Sequence, residues 1–163
     1  MRFGSFRWLI AVLPACPMLA ASCESLYSLS LPHAMVASAQ AVGAGGFTPP
    51  ETGGRGRGPG DSFKDLPAFC RVAMTLTPST DSDIKVEVWL PAAKWNGKFL
   101  AAGSGGGASA ALQGSLNFPG LAGALRRGFA TATTDTGHTG AILSYAIDHP
   151  ERSLTSDTAL FTR

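Results

Sequence analysis

No stretch of this chain is apolar for long enough to cross a bilayer as a helix. The longest candidate, Trp8–Ala15, falls well short of the roughly 20 residues that a span needs, and Pro14 and Pro17 break its continuation. Charge is also sparse, with Asp, Glu, Lys and Arg at 15% of 163 residues. The 13 basic side chains form no stripe of the kind that a nucleic-acid binder presents. Arg55 and Arg57 lie in a glycine-rich stretch and read as a solvated loop. Histidine is limited to three, and Asp135-x-x-His138 with one distant histidine matches no standard zinc spacing. No metal site is therefore read from the residues. A chain of this length supports one domain at most.

What is present begins with an export pattern. Arg2 and Arg7 flank a basic start, Trp8–Ala15 is apolar, and Ala20, Ala21 and Ser22 are small. This arrangement predicts a signal peptide over 1–22, cleaved near Ala20–Ser22, and a secreted or periplasmic location. Removing it takes away two of the 13 basic residues and none of the 11 acidic ones, so the remainder is neutral. Cys16 leaves with that segment, and Cys23 and Cys70 remain. An even number in an exported chain favours a disulfide, which would contribute roughly 4 kcal/mol in the chain-entropy model. The competing reading is a lipidated Cys23, because Leu19–Cys23 loosely resembles a lipobox, with Ala20 where leucine is usual. That reading leaves Cys70 unpaired.

Cys23–Leu31 reads as a mixed segment with one helical turn. Ala34–Val42 alternates as a half-buried strand does, and Gly43–Gly60 is a Gly/Pro-rich excursion between strands. Ala68–Thr77 and Ile84–Leu90 flank a polar turn and predict an antiparallel hairpin. In the second strand Ile84, Val86, Val88 and Leu90 share one face, and Lys85, Glu87 and Trp89 the other. Trp95-Asn96-Gly97 is a tight turn, with Asn-Gly at the positive-φ positions. It leads into a short buried strand, Lys98–Ala102. Asn117–Arg127 is a helix: Asn117 caps it, Pro119 suits its first turn, Arg126 and Arg127 sit at its negative end, and Gly128 closes it. Leu121 and Leu125 share a face, and Phe129–Thr134 follows as a second buried strand. Strand–helix–strand implies parallel pairing through a right-handed crossover. The predicted class is α/β, an antiparallel hairpin leading into a parallel sheet.

The chemistry-bearing residues cluster after these last strands. Gly103-Ser104-Gly105-Gly106-Gly107 follows a strand directly, so backbone N–H groups can line a cleft and stabilise the oxyanion of acyl transfer. A plain flexible turn has the same composition. Ala102–Gly106 is also an A-x-S-x-G variant of a nucleophile elbow with Ser104 as nucleophile, Asp135 or Asp148 as acid and His138 or His149 as base. No marked helix start follows the serine, and His149 sits in a polar turn, so this reading is set second. Asp135 and His138 are candidate pocket residues at the carboxyl edge of a strand, where α/β sheets place their sites. The alternative has Asp135 capping the strand-end loop and His138 as a hydrogen-bonded structural residue.

In order along the chain, Cys23-Glu24-Ser25-Leu26, Leu66-Pro67-Ala68-Phe69-Cys70-Arg71-Val72, Ile84–Pro91, Trp95–Phe99, Gly103–Gly106, Arg127–Ala132 and Thr134–Gly140 resemble the N-terminal part of the tannase and feruloyl esterase family. The likeness runs from about Cys23 to Arg152. It implies the N-terminal part of an α/β-hydrolase fold and a secreted serine esterase acting on aromatic-acid esters such as gallates or ferulates. It implies a Cys23–Cys70 disulfide and places Gly105 and Gly106 near the oxyanion hole. It argues against Ser104, where members commonly carry Asn. The family's serine lies in a later Gly-Cys-Ser-x-Gly motif, with its acid and histidine later still around a calcium-bearing lid domain. The triad is therefore expected beyond residue 163, with no cofactor in this chain.

The likeness stops after Pro150-Glu151-Arg152. Relatives continue approximately L-I-D-F-G-Y-R-A-V-H-E, whereas Ser153–Arg163 reads SLTSDTALFTR. Reading from the third base of the Leu154 codon permits the family helix from its Asp onward. The expectation is a frameshift near codon 153, with 23–152 an incomplete esterase domain and 153–163 an out-of-family tail; the downstream DNA tests it. This chain is then expected to be inactive alone. A small secreted binding module without catalysis is the alternative, and would show a sharp thermal transition.

Overall fold

The computed structural model describes residues 22–49, 63–80, 82–103 and 116–137. A 3-10 helix, Cys23–Ser28, comes first. It is followed by β1 (Ala34–Val42), β2 (Phe69–Leu76), β3 (Ile84–Pro91), β4 (Phe99–Ala101), α1 (Phe118–Arg126) and β5 (Ala130–Thr134). The strands form one sheet in the order β1-β2-β3-β5-β4. β1, β2, β3 and β5 pair antiparallel in succession, and β4 pairs parallel with β5. The antiparallel part is thus larger than a hairpin, and the parallel part is the one pair that α1 connects. β5 lies between β3 and β4 and is buried along its whole length.

Both faces of the sheet are covered, unequally. On one, Phe69 and Trp89 pack with Phe47 and Leu66 from the connecting segments and with Phe118, Leu121, Ala122 and Leu125 of α1. The Phe69 and Trp89 rings lie 4.4 Å apart, and Phe47 meets Trp89 edge-on at 4.6 Å. On the other, Val36, Ala39, Cys70 and Val72 pack with Cys23, Leu26, Met74, Val88 and Leu90. The face of β3 that carries Lys85 and Glu87 is therefore the one beneath the helix. Glu87 is sealed there with a relative exposure of 1%. It pairs with Arg71 through both guanidinium nitrogens and accepts the Trp89 indole N–H at 2.8 Å. Arg71 also lies over the Phe47 ring at 5.3 Å. The bidentate pair and the indole together make burial of a carboxylate tolerable.

Helix α1 ends where its capping residues predict. The Asn117 side chain accepts the Gly120 N–H at 2.9 Å. Gly128 reverses the chain at φ +78°, and a Cβ there would meet the Lys94 carbonyl at 2.8 Å. Arg126 forks onto Asp65 at 2.9 and 2.6 Å, a more specific role than facing the helix dipole.

Three local expectations are corrected. In the turn before β4, Lys94 and Gly97 take positive φ, not Asn96. The Asn96 side chain accepts the Lys98 N–H instead, so it shapes the turn through a hydrogen bond. β4 is not buried: Phe99 and Leu100 are exposed, because the strand has a neighbour on one side among the described residues. Cys23 is bonded to Cys70, with Cα atoms 5.5 Å apart, so its sulfur is not a lipid attachment point.

Candidate functional site

Parallel pairing sends β4 and β5 out of the sheet at the same edge. The ladder continues one step past β4, with the Ala102 N–H donating to the Ala132 carbonyl at 2.8 Å. Gly103 then begins the glycine cluster. Its carbonyl accepts the Asn117 side-chain N–H at 2.8 Å, while the Asn117 backbone N–H donates to the Thr133 hydroxyl at 3.2 Å. Asn117 therefore ties together the exit of β4, the start of α1 and the end of β5. Deeper in, the buried Thr131 hydroxyl donates to the Leu100 carbonyl at 2.7 Å, which satisfies a polar group that would otherwise be costly to bury.

Asp135 ends β5 and is buried. Its Oδ1 accepts the Lys85 N–H at 2.9 Å and the Gly137 N–H at 2.8 Å. Burial pushes its carboxyl above the ordinary value, against those two N–H groups, which pull it down. Thr136 and Gly137 follow with φ of 59° and 78°, and a Cβ on Gly137 would meet Ile84 Cγ1 at 2.9 Å. Carboxylate and glycine together set the direction in which the chain leaves the sheet.

The oxyanion candidates Gly105 and Gly106, the alternative nucleophile Ser104 and the pocket candidate His138 lie outside the described residues, as do the predicted leader up to residue 21 and the tail 153–163. The structure brings together Gly103, Asn117, Thr133 and Asp135, from which those segments leave. Sequence reasoning read Asn117 as a cap only, and its bond to Gly103 depends on a fold that no local pattern announces. It also left Glu87 on an outer face, although Arg71 and Glu87, opposite in charge on hairpin-paired strands, carried a signal. Among the described residues, no three His, Cys, Asp or Glu side chains come together as a metal site. The calcium implied by the family resemblance belongs to a lid domain beyond this chain.

A strand, a glycine exit, a helix and a parallel strand, set beside antiparallel strands, form the opening of an α/β-hydrolase sheet. A family profile described as "Tannase and feruloyl esterase" matches residues 70–156. An uncharacterized esterase of Xanthomonas campestris is 39% identical over 162 residues, covering 94% of this chain and 26% of that protein. The Aspergillus oryzae protein "Probable feruloyl esterase B-1" is 42% identical over 73 residues, 45% of this chain and 12% of its own length. Among solved structures, feruloyl esterase B of Aspergillus oryzae superposes with a TM-score of 0.66 at 30% identity, covering 82% of this chain and 25% of that one. A second Aspergillus oryzae esterase gives 0.64 at 28% identity with the same coverage. The chain belongs to the tannase and feruloyl esterase family, and spans about a quarter of the Xanthomonas relative and of these solved structures.

Proposed function

We propose that this chain is the opening part of a secreted or periplasmic serine esterase that cleaves aromatic-acid esters, and that it supplies the oxyanion side of the pocket without the attacking group. The observation that carries this reading is the shared exit of β4 and β5, held by Asn117. Gly105 and Gly106 follow that exit directly and are assigned the backbone N–H donors, which stabilise the negative oxygen formed as an ester carbonyl is attacked. Asp135 positions the start of the segment that carries His138. Serine, histidine and acid act as a unit, and all three are assigned to the family region beyond residue 163. The Cys23–Cys70 disulfide supports an oxidising compartment, and 1–22 is assigned as the leader.

The test is hydrolysis of an aryl ester such as methyl ferulate by the purified chain. No turnover above the uncatalysed rate is expected. Turnover abolished by Ser104→Ala would overturn the reading and make Ser104 the nucleophile.

A further inference from the structure

We infer that the open edge of β4 is a docking surface for a parallel β-strand carried by the remaining part of a family esterase. This rests on reading the chain as the opening part of such an enzyme.

The two edges of the sheet are built differently. β1, at one edge, is blunted: its register shifts between Val36 and Ser38, and the Glu24 carboxylate takes the outward Ala41 N–H at 3.3 Å. A bulge and an inserted charge are the usual protections of a permanent edge. β4, at the other edge among the described residues, has neither. The Lys98 carbonyl accepts from Ala130, and Ala102 donates to Ala132. Alternation along the strand then turns the N–H and C=O groups of Phe99 and Ala101 away from β5. No described residue pairs with them.

The side chains agree. Phe99 is 60% exposed and Leu100 38%, and successive strand residues point to opposite faces. A strand apolar on both faces is an interior strand of a parallel sheet, covered above and below. Relatives that match nearly the whole of this chain are about four times its length, so the strand that completes the sheet has a source.

The experiment co-expresses the full chain with the part of the Xanthomonas campestris relative that lies beyond its match. Soluble recovery of that part is expected with this chain, in one co-eluting complex, and not without it. Ala101→Pro removes an outward N–H and leaves the β4–β5 ladder intact, so it abolishes recovery. Phe99→Lys, which touches no backbone group, does the same. Met35→Asp, on the exposed side of β1, leaves recovery unchanged. Recovery independent of this chain, recovery that survives both β4 substitutions, loss with Met35→Asp, or association of the chain only with itself would each overturn the inference. Aryl-ester turnover by the complex reads the proposed function separately: an inactive complex counts against that function and leaves the edge assignment standing.

Discussion

Glu87 shows how a single side chain can be costly and still structural. Its carboxylate is out of water, and Arg71, which keeps a quarter of its side chain exposed, is its charge partner. Removing that partner leaves a buried charge with only the Trp89 indole to answer it. Arg71→Ala is therefore expected to cost about 3 kcal/mol, at the low end of the range for broken buried pairs because of Arg71's exposure. The shift of the urea-unfolding midpoint measures it. Asp135 has the opposite character. Burial raises its carboxyl above the ordinary 3.8, so the folded chain favours the protonated form. The associated stability is complete below the unfolded-state pKa and is lost as pH rises through the folded one. Asp135→Asn keeps the Oδ1 acceptor for both N–H groups and carries no charge. Its stability relative to the parent is expected to climb as pH rises through that window and then level off, read from urea midpoints across the acid range. Glu24, lowered by backbone N–H groups, and Asp65, lowered by Arg126, titrate with the opposite sign, but both chains share them and the difference isolates Asp135.

Two elements depend on ties that reach outside themselves. α1 is short, and its N-terminus rests on Asn117, which caps Gly120 and also holds Gly103. Asn117→Ala removes both bonds, with an expected loss of about 1–2 kcal/mol. Protection from hydrogen exchange is expected to fall at Gly120 and Leu121, while β1–β3 are unaffected. The 3-10 helix has no buried residue of its own and is anchored through Cys23 to β2 across a separation of 47 residues. Replacing both cysteines by serine is expected to cost about 4 kcal/mol on the chain-entropy account, again read by urea unfolding. Leu26 is then released from the face that it covers with Val72 and Val88. Element limits were largely legible because their signals are local. The alternation of Ala34–Val42 matches β1 residue for residue, and the caps at Asn117 and Gly128 bound α1. β4 was misread as buried because an apolar run looks the same whether or not its second neighbour is present.

At the scale of the molecule, the sheet carries a wall of a pocket, and catalytic silence of the chain alone is the matching prediction, checked by the ester assay. The family, the disulfide and the strand–glycine–helix–strand order were all readable along the chain, because caps, alternation and motif spacing act between residues close in sequence. Which face of β3 would be sealed was not readable, since Lys85-Glu87-Trp89 becomes core only when Arg71, Phe47 and α1 arrive from elsewhere. Nor was the insertion of β5 between β3 and β4, the convergence of Gly103, Asn117 and Asp135, or the contrast between a protected and an open edge. Those outcomes depend on long-range pairing and on which surfaces lose their water, and only the assembled sheet decides that.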